Sequence, residues 1–155
     1  MSQALYSCGY RRLDGDLDKE CGMKTNLILY GLTLLVVLAI DAVWLGLVAP
    51  GFYQRHLGFL LRAQPNWLAA GLFYPLFVGG LLVFVIRPAR QAGSAATALR
   101  LGAFFGLVTY ATYDLTNMAT VEGWPWLVTG VDLAWGALLS AAVSLVVFRL
   151  GRRLC

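Results

Sequence analysis

The sequence predicts an all-α membrane protein, a four-transmembrane-helix bundle with a short amphipathic outer helix between helices 1 and 2. Three observations carry this prediction: 59% of the 155 residues are hydrophobic, 13% are charged, and the mean hydropathy is +0.71. Soluble domains have about 45–50% apolar and about 25% charged residues. This chain therefore has too little polar surface for a water-soluble domain, and its length predicts one domain.

Four stretches without lysine or arginine are long enough to cross a hydrocarbon layer of about 30 Å, which takes about 20 apolar residues. They cover about residues 27–49, 67–86, 101–119 and 126–148. Backbone polar groups find no water at that depth, so each stretch is expected to be an α-helix.

The first 22 residues differ from the rest of the chain. They combine Arg11 and Arg12 with an acidic stretch from Asp14 to Glu20, and they show no apolar periodicity. We expect residues 1–22 to form a flexible cytoplasmic tail and residues 23–155 to form the transmembrane domain. Since Met23 directly precedes the first span, it is an alternative start of the protein.

The placement of lysine and arginine predicts the orientation. With the N-terminus inside, the inner segments hold ten of the twelve basic residues, and Arg55 and Arg62 are the outer two. Basic residues favour the cytoplasmic side, so we expect a multi-pass protein of the cell inner membrane with both termini cytoplasmic. The net charge of +4 then reflects topology and contact with membrane lipids, and no nucleic-acid partner is expected.

The outer connection between the first two spans predicts an amphipathic helix of about three turns between Pro50 and Pro65. At helical spacing, Arg55 and Arg62 fall on one face. The other face carries Phe52, Tyr53, His56, Leu57 and Leu60. Such a helix lies on the outer membrane surface or caps the mouth of the bundle.

Three aspartates, Asp41, Asp114 and Asp132, interrupt otherwise uncharged spans, and ionisable groups at that depth are costly enough to mark functional interiors. Counted along their helices, all three lie roughly 8–12 Å below the outer boundary. They are therefore expected to cluster, with at least one protonated unless a cation is bound. The alternative is structural, because protonated carboxyls can also hydrogen-bond across helices as struts.

Aromatic and polar residues accompany the aspartates on the same faces or near the same mouth. The predicted ligand-binding pocket comprises Asp41, Trp44, Tyr53, His56, Tyr74, Tyr110, Tyr113, Asp114, Asn117, Asp132 and Trp135. His56 can equally be an interfacial residue outside the pocket.

No metal site and no cofactor are expected, because the chain has one histidine and its three cysteines lack zinc spacing. Hydrolase, phosphate-loop and dinucleotide motifs are absent from the sequence. Whether the protein is an enzyme therefore stays open.

Several stretches form recognisable motifs: DAVWLG from Asp41, FYQRHLG from Phe52, PNW from Pro65, GLVTYATYDLTNMAT from Gly106 and DLAWG from Asp132. With them the sequence resembles the domain-of-unknown-function 2177 family of predicted bacterial membrane proteins, over roughly Met23 to Phe148. The resemblance implies a four-helix bacterial inner-membrane protein and no particular reaction.

Three functions stay open. The first, which we favour, is a transporter-like component whose pocket near the outer leaflet binds a small molecule, a proton or a cation. The second is a membrane enzyme acting on a lipid or an isoprenoid. The third is an accessory subunit of a larger membrane complex. A homo-oligomer is a further expected partner, because four short helices leave little room for a conduction path in a monomer.

Overall fold

A computed structural model of the chain describes the backbone of residues 3–152 and 154, and the side chains of residues 22–152 and 154. This part of the chain is helical and contains no strand. The helices are α1 (Gln3–Leu47), α2 (Ala49–Leu57), α3 (Trp67–Leu81), α4 (Arg87–Gln91), α5 (Ala95–Thr120) and α6 (Trp126–Gly151). A π-helical segment, Leu82–Ile86, joins α3 to α4 without a break.

Three helical runs among the described residues are long and apolar enough to cross a membrane: Gly22–Leu47, Trp67–Gln91 and Trp126–Gly151. They match three of the four predicted spans. The fourth prediction, about residues 101–119, is helical within α5, which is not among these runs. Helix α5 carries Arg100, Asp114 and a series of threonines and tyrosines, and these residues lower its hydropathy.

Helix α1 begins at Gln3, whereas the sequence predicted the first helix only from about residue 27. The first proline of the chain is Pro50, so no proline interrupts the helix before the end of the span. The side chains of residues 1–21 lie outside the described residues. The flexible tail over residues 1–22 therefore stays a prediction.

The short helix predicted between the first two spans is present as α2, with Pro50 in its first turn, where proline is well tolerated. It ends at Leu57, so Leu60 and Arg62 lie beyond it and the predicted helical face joining Arg55 to Arg62 is wrong. Gly58 caps the end of this helix, and glycine suits the position because a side chain there would lie 2.5 Å from the carbonyl oxygen of Gln54.

Helix α3 begins at Asn66, whose side chain accepts hydrogen bonds from the backbone N–H groups of Leu68 and Ala69, as an N-cap residue does. Pro75 lies inside this helix. Its carbonyl oxygen accepts a hydrogen bond of 3.1 Å from the hydroxyl of Tyr30, which ties α3 to α1.

The main core lies between α1, α3, the π-helical segment and α6, and it consists of aliphatic side chains. Its most buried members are Leu29, Val37, Val78, Leu81, Val85, Ile86, Val143 and Val147. This side-chain layer holds the three apolar runs together.

Helices α5 and α6 pack by direct backbone contact. A Cβ added at Gly106 would lie 1.9 Å from the carbonyl oxygen of Gly136, and one added at Gly102 would lie 2.7 Å from that of Ser140. The paired residue numbers run in opposite directions, so the two helices are antiparallel. A Cβ added at Gly136 would contact the ring of Tyr110, and one turn further along each helix this pairing brings Asp114 of α5 to Asp132 of α6.

Candidate functional site

The structure brings the three predicted aspartates to one place in the bundle. Asp41 of α1, Asp114 of α5 and Asp132 of α6 are 8%, 0% and 6% exposed. The phenol of Tyr110 lies within electrostatic reach of all three carboxyl groups and of Tyr74. We call Asp41, Tyr53, Tyr74, Tyr110, Asp114 and Asp132 the Asp–Tyr cluster.

Two of the aspartates accept hydrogen bonds from tyrosines on other helices. The hydroxyl of Tyr74 in α3 donates to Oδ2 of Asp41 at 2.5 Å. The hydroxyl of Tyr53 in α2 donates to Oδ1 of Asp132. The cluster therefore joins all five of the longer helices.

The short helix α2 matters to the cluster because it supplies Tyr53. Burial, and next the hydrogen bond from Tyr53 to Asp132 and the carboxylate's charge, raise the pKa of Tyr53 above its ordinary value. The phenol consequently stays protonated and remains a donor at neutral pH.

Asp114 differs from the other two aspartates. It is fully buried, and neither of its carboxyl oxygens has a hydrogen-bond partner among the described residues. The carboxyl group of Asp132 interacts with it electrostatically, and the two are close enough to share a hydrogen bond once one of them takes up a proton. An ionised carboxylate in such surroundings is costly unless it is paired.

The two tryptophans that follow Asp41 and Asp132 by three residues stack on each other. The rings of Trp44 and Trp135 lie 4.3 Å apart between centroids, with an interplanar angle of 14°. The Nε1 atom of Trp135 is buried without a hydrogen-bond partner among the described residues. The repeated D-x-x-W spacing thus places an aspartate and a tryptophan on the facing sides of α1 and α6.

Gly136, the last residue of the DLAWG motif, is a positioning residue that was not among the predicted pocket residues. A Cβ added there would lie 2.2 Å from Cδ2 of Tyr110, so the ring of Tyr110 rests directly on the backbone of α6. Any larger residue would displace Tyr110 from the three aspartates. The signal in the sequence is its position one turn after Asp132.

The remaining predicted residues lie at the rim or apart from the cluster. Tyr113 is 60% exposed, packs edge-on against Trp124 at 5.8 Å, and contacts Asn117. His56 contacts its own helix, with Nδ1 2.8 Å from the carbonyl oxygen of Phe52 and its ring against that phenylalanine.

An apolar groove of about 240 Å³ lies between α3 and α5, beside the cluster. Its lining residues are Phe73, Phe77, Thr109, Tyr110 and Tyr113. Tyr110 belongs both to the groove and to the cluster, and Phe73 and Tyr113 are exposed on the outside of the bundle. The sequence interpretation missed Phe73, Phe77 and Thr109, although Phe73 and Thr109 lie one residue before Tyr74 and Tyr110.

No group of three or more His, Cys, Asp or Glu side chains within the described part of the chain is arranged to hold a metal ion.

A family model described as "Predicted membrane protein (DUF2177)" matches residues 26–149. The match covers most of the chain and every residue of the Asp–Tyr cluster, and it confirms the resemblance found in the sequence. No curated protein and no solved structure matches the chain.

Proposed function

The chain belongs to the DUF2177 family of predicted membrane proteins, and we propose that it crosses the bacterial inner membrane four times and binds a proton or a small cation at the Asp–Tyr cluster, as a transporter-like component. The family description supplies no reaction, so the proposal rests on the contacts of the described residues. The observation that carries it is the buried carboxyl group of Asp114, whose oxygens have no hydrogen-bond partner by geometry among the described residues.

The four-span architecture takes α5 as the additional membrane helix. Helices α5 and α6 both have 26 residues, about 39 Å at 1.5 Å per residue, which exceeds a hydrocarbon layer of about 30 Å. They are in backbone contact at Gly102 and Gly106. Because α6 is a candidate span, a helix packed along it at this distance is expected to cross with it.

The threonines of α5 fit a membrane helix better than their hydropathy indicates. The hydroxyls of Thr109, Thr112, Thr116 and Thr120 each donate to a carbonyl oxygen three or four residues earlier in the same helix. Hydroxyls satisfied in this way need no water. Fusions that report the side of the membrane test the architecture: both termini and the loop at residues 92–94 are expected in the cytoplasm, and residues 121–125 outside.

The proposed ligand follows from the charges in the cluster. An ionised Asp114 next to Asp132 would place two like charges close together in a poorly solvated site, which is unfavourable. Taking up a proton removes one of these charges, and a bound cation compensates it. Asp41 and Asp132 are already hydrogen-bonded by Tyr74 and Tyr53, so Asp114 is the group with coordination to spare.

The test is the melting temperature of the purified full-length protein, measured between about pH 4 and about pH 9 with and without Na⁺ or K⁺. Wild type is expected to melt higher at acidic pH, or on addition of the cation at neutral pH, because either removes the unpaired charge. Asp114→Asn keeps the shape of the side chain and is expected to abolish this response while the protein stays folded.

Glu122→Gln is the matched control, since Glu122 is exposed in the turn between α5 and α6 and loses the same charge. It is expected to respond to pH and cations like wild type. A response retained in Asp114→Asn, or lost equally in Glu122→Gln, would contradict the proposal. A cation response identifies a cation as the ligand, and a response to pH alone identifies a proton.

The groove between α3 and α5 favours a second candidate, a membrane enzyme acting on a lipid or an isoprenoid. At about 240 Å³, it is smaller than the pockets of about 300–1,000 Å³ that enclose whole drug-sized ligands, so it fits an apolar tail. Tyr110 would bring the polar end of that ligand to the three aspartates. The lipid composition of a deletion strain separates the candidates: a change reversed by wild type but not by Asp114→Asn favours the enzyme.

A further inference from the structure

Two adjoining cavities lie where the first candidate span begins and the second ends. They have volumes of about 530 Å³ and about 470 Å³, and both are lined by Gly22, Asn26 and Arg87. Since the candidate spans are Gly22–Leu47 and Trp67–Gln91, this place corresponds to the interface between membrane and water. It is far along both helices from the Asp–Tyr cluster.

The two cavities differ in chemistry. Beyond the shared residues, the first, which we call the apolar cavity, is lined by Met23, Leu27, Tyr30 and Leu82. The second, which we call the basic cavity, is lined by Thr25, Leu29, Arg90 and Gln91. An apolar compartment therefore lies next to a cationic one.

Arg87 stands at the junction of the cavities. Its Nε donates to Oδ1 of Asn26 at 3.1 Å, a bond that uses one of the five N–H donors of the guanidinium and fixes its direction. Among the described residues no aspartate or glutamate lines either cavity. The exposed guanidinium thus faces the junction, and none of the described residues there carries a carboxylate that would neutralise it.

The second arginine of the basic cavity, Arg90, lies in the same helix as Arg87, three residues later. Arg90 donates to the carbonyl oxygens of Gly151 and Leu154, which closes the C-terminal end of α6. The π-helical segment Leu82–Ile86 directly precedes Arg87 and adds a residue to that turn, which rotates the following residues by about 100° relative to a continuous α-helix. π-helical turns of this kind are frequent at functional sites.

We propose that this pair of cavities binds an anionic phospholipid, with its phosphate in the basic cavity at Arg87 and Arg90 and an acyl chain in the apolar cavity. Guanidinium groups suit phosphate oxygens because they present several donors in one plane, and basic pockets between membrane helices bind acidic lipid head groups. A zwitterionic lipid brings its own counter-charge, and a free phosphate ester leaves the apolar cavity empty. The inference does not depend on the proposed function, since no residue is shared with the Asp–Tyr cluster.

The experiment is native mass spectrometry of the full-length protein released from mixed micelles. The probes are phosphatidylglycerol, phosphatidylcholine with the same acyl chains, and glycerol 3-phosphate. Wild type is expected to retain phosphatidylglycerol in preference to phosphatidylcholine and to retain no glycerol 3-phosphate. Arg87→Gln is expected to weaken phosphatidylglycerol binding about fivefold, and Arg87→Lys less, because lysine keeps the charge but not the planar set of donors.

Arg100→Gln is the matched control, because Arg100 is exposed on α5 and lines neither cavity. It is expected to bind phosphatidylglycerol like wild type. Equal losses in Arg87→Gln and Arg100→Gln would reduce the effect to general charge and overturn the site. Equal retention of the two phospholipids, or retention of glycerol 3-phosphate at the level of the lipid, would overturn the lipid assignment.

Discussion

The aspartates lie in two kinds of helix contact, and the contacts determine their partners. Between α1 and α3, aliphatic side chains such as Val37 and Val78 keep the backbones apart, and the space admits Tyr74 as a donor to Asp41. Between α5 and α6, Gly106 and Gly136 bring the backbones into contact. In the wider contact Asp41 is therefore hydrogen-bonded. In the closer contact Asp114 has no hydrogen-bond partner among the described residues.

The difference shows how close packing can leave a carboxyl group unsatisfied. Small residues let membrane helices approach closely and gain van der Waals contact. At this approach the ring of Tyr110 rests directly on the backbone of Gly136, and no tyrosine among the described residues donates a hydrogen bond to Asp114. Asp132 does have a donor, because Tyr53 comes from a third helix, α2.

Widening the α5–α6 contact is expected to have the largest effect. In Gly106→Ala, the new Cβ would lie 1.9 Å from a backbone oxygen, so the helices must separate, at a cost of about 3 kcal/mol of unfolding free energy. Gly130→Ala in α6 is the control, because a Cβ there meets nothing within 4 Å. Reversible unfolding of the full-length protein in mixed micelles measures both, and equal stabilities would show that the contact is looser than described.

The unequal partners of Asp132 and Asp114 give the next prediction. Asp132→Ala leaves the part-buried hydroxyl of Tyr53 without its acceptor, which is expected to cost about 1–2 kcal/mol more than Asp114→Ala. Asp114→Ala removes a group that has no such partner. The same unfolding measurement compares them, and the comparison fails if Asp114→Ala proves the more damaging of the two.

How much of this could be predicted from the sequence depends on the range of the interactions. The helices, the short helix between the first two spans and the meeting of Asp41, Asp114 and Asp132 follow from apolar runs and from counting along each helix. The specific pairs do not, because whether Tyr53 donates to Asp132 depends on how α2 folds over the bundle. The end of α2 at Leu57 was not predicted, because the pattern of apolar and basic residues continues beyond it to Leu60 and Arg62.

A smaller effect is expected from the tyrosine on the wider side. Tyr74→Phe removes the hydrogen bond to Asp41 without changing the ring, and such bonds between membrane helices contribute about 0.6 kcal/mol on average. Tyr113→Phe is the control, because its ring is 60% exposed at the rim. Thermal unfolding of both variants is compared with that of wild type. A loss of stability in Tyr113→Phe as large as in Tyr74→Phe would contradict a specific role for the hydrogen bond to Asp41.

The smallest expected effect concerns the pH dependence contributed by α2. Since burial and Asp132 raise the pKa of Tyr53 in the folded protein, its phenol stays protonated after the unfolded chain begins to lose that proton near about pH 10. The stability it contributes is thus fully present below about pH 10 and is lost as the pH rises above that value. Tyr53→Phe is expected to lose less unfolding free energy than wild type between about pH 9 and about pH 11. Tyr30→Phe is the control, because it removes a phenol that is bonded to a carbonyl oxygen rather than to a carboxylate. Its unfolding free energy is expected to depend on pH as in wild type. The same pH dependence in Tyr53→Phe would mean that the bond to Asp132 does not form in solution.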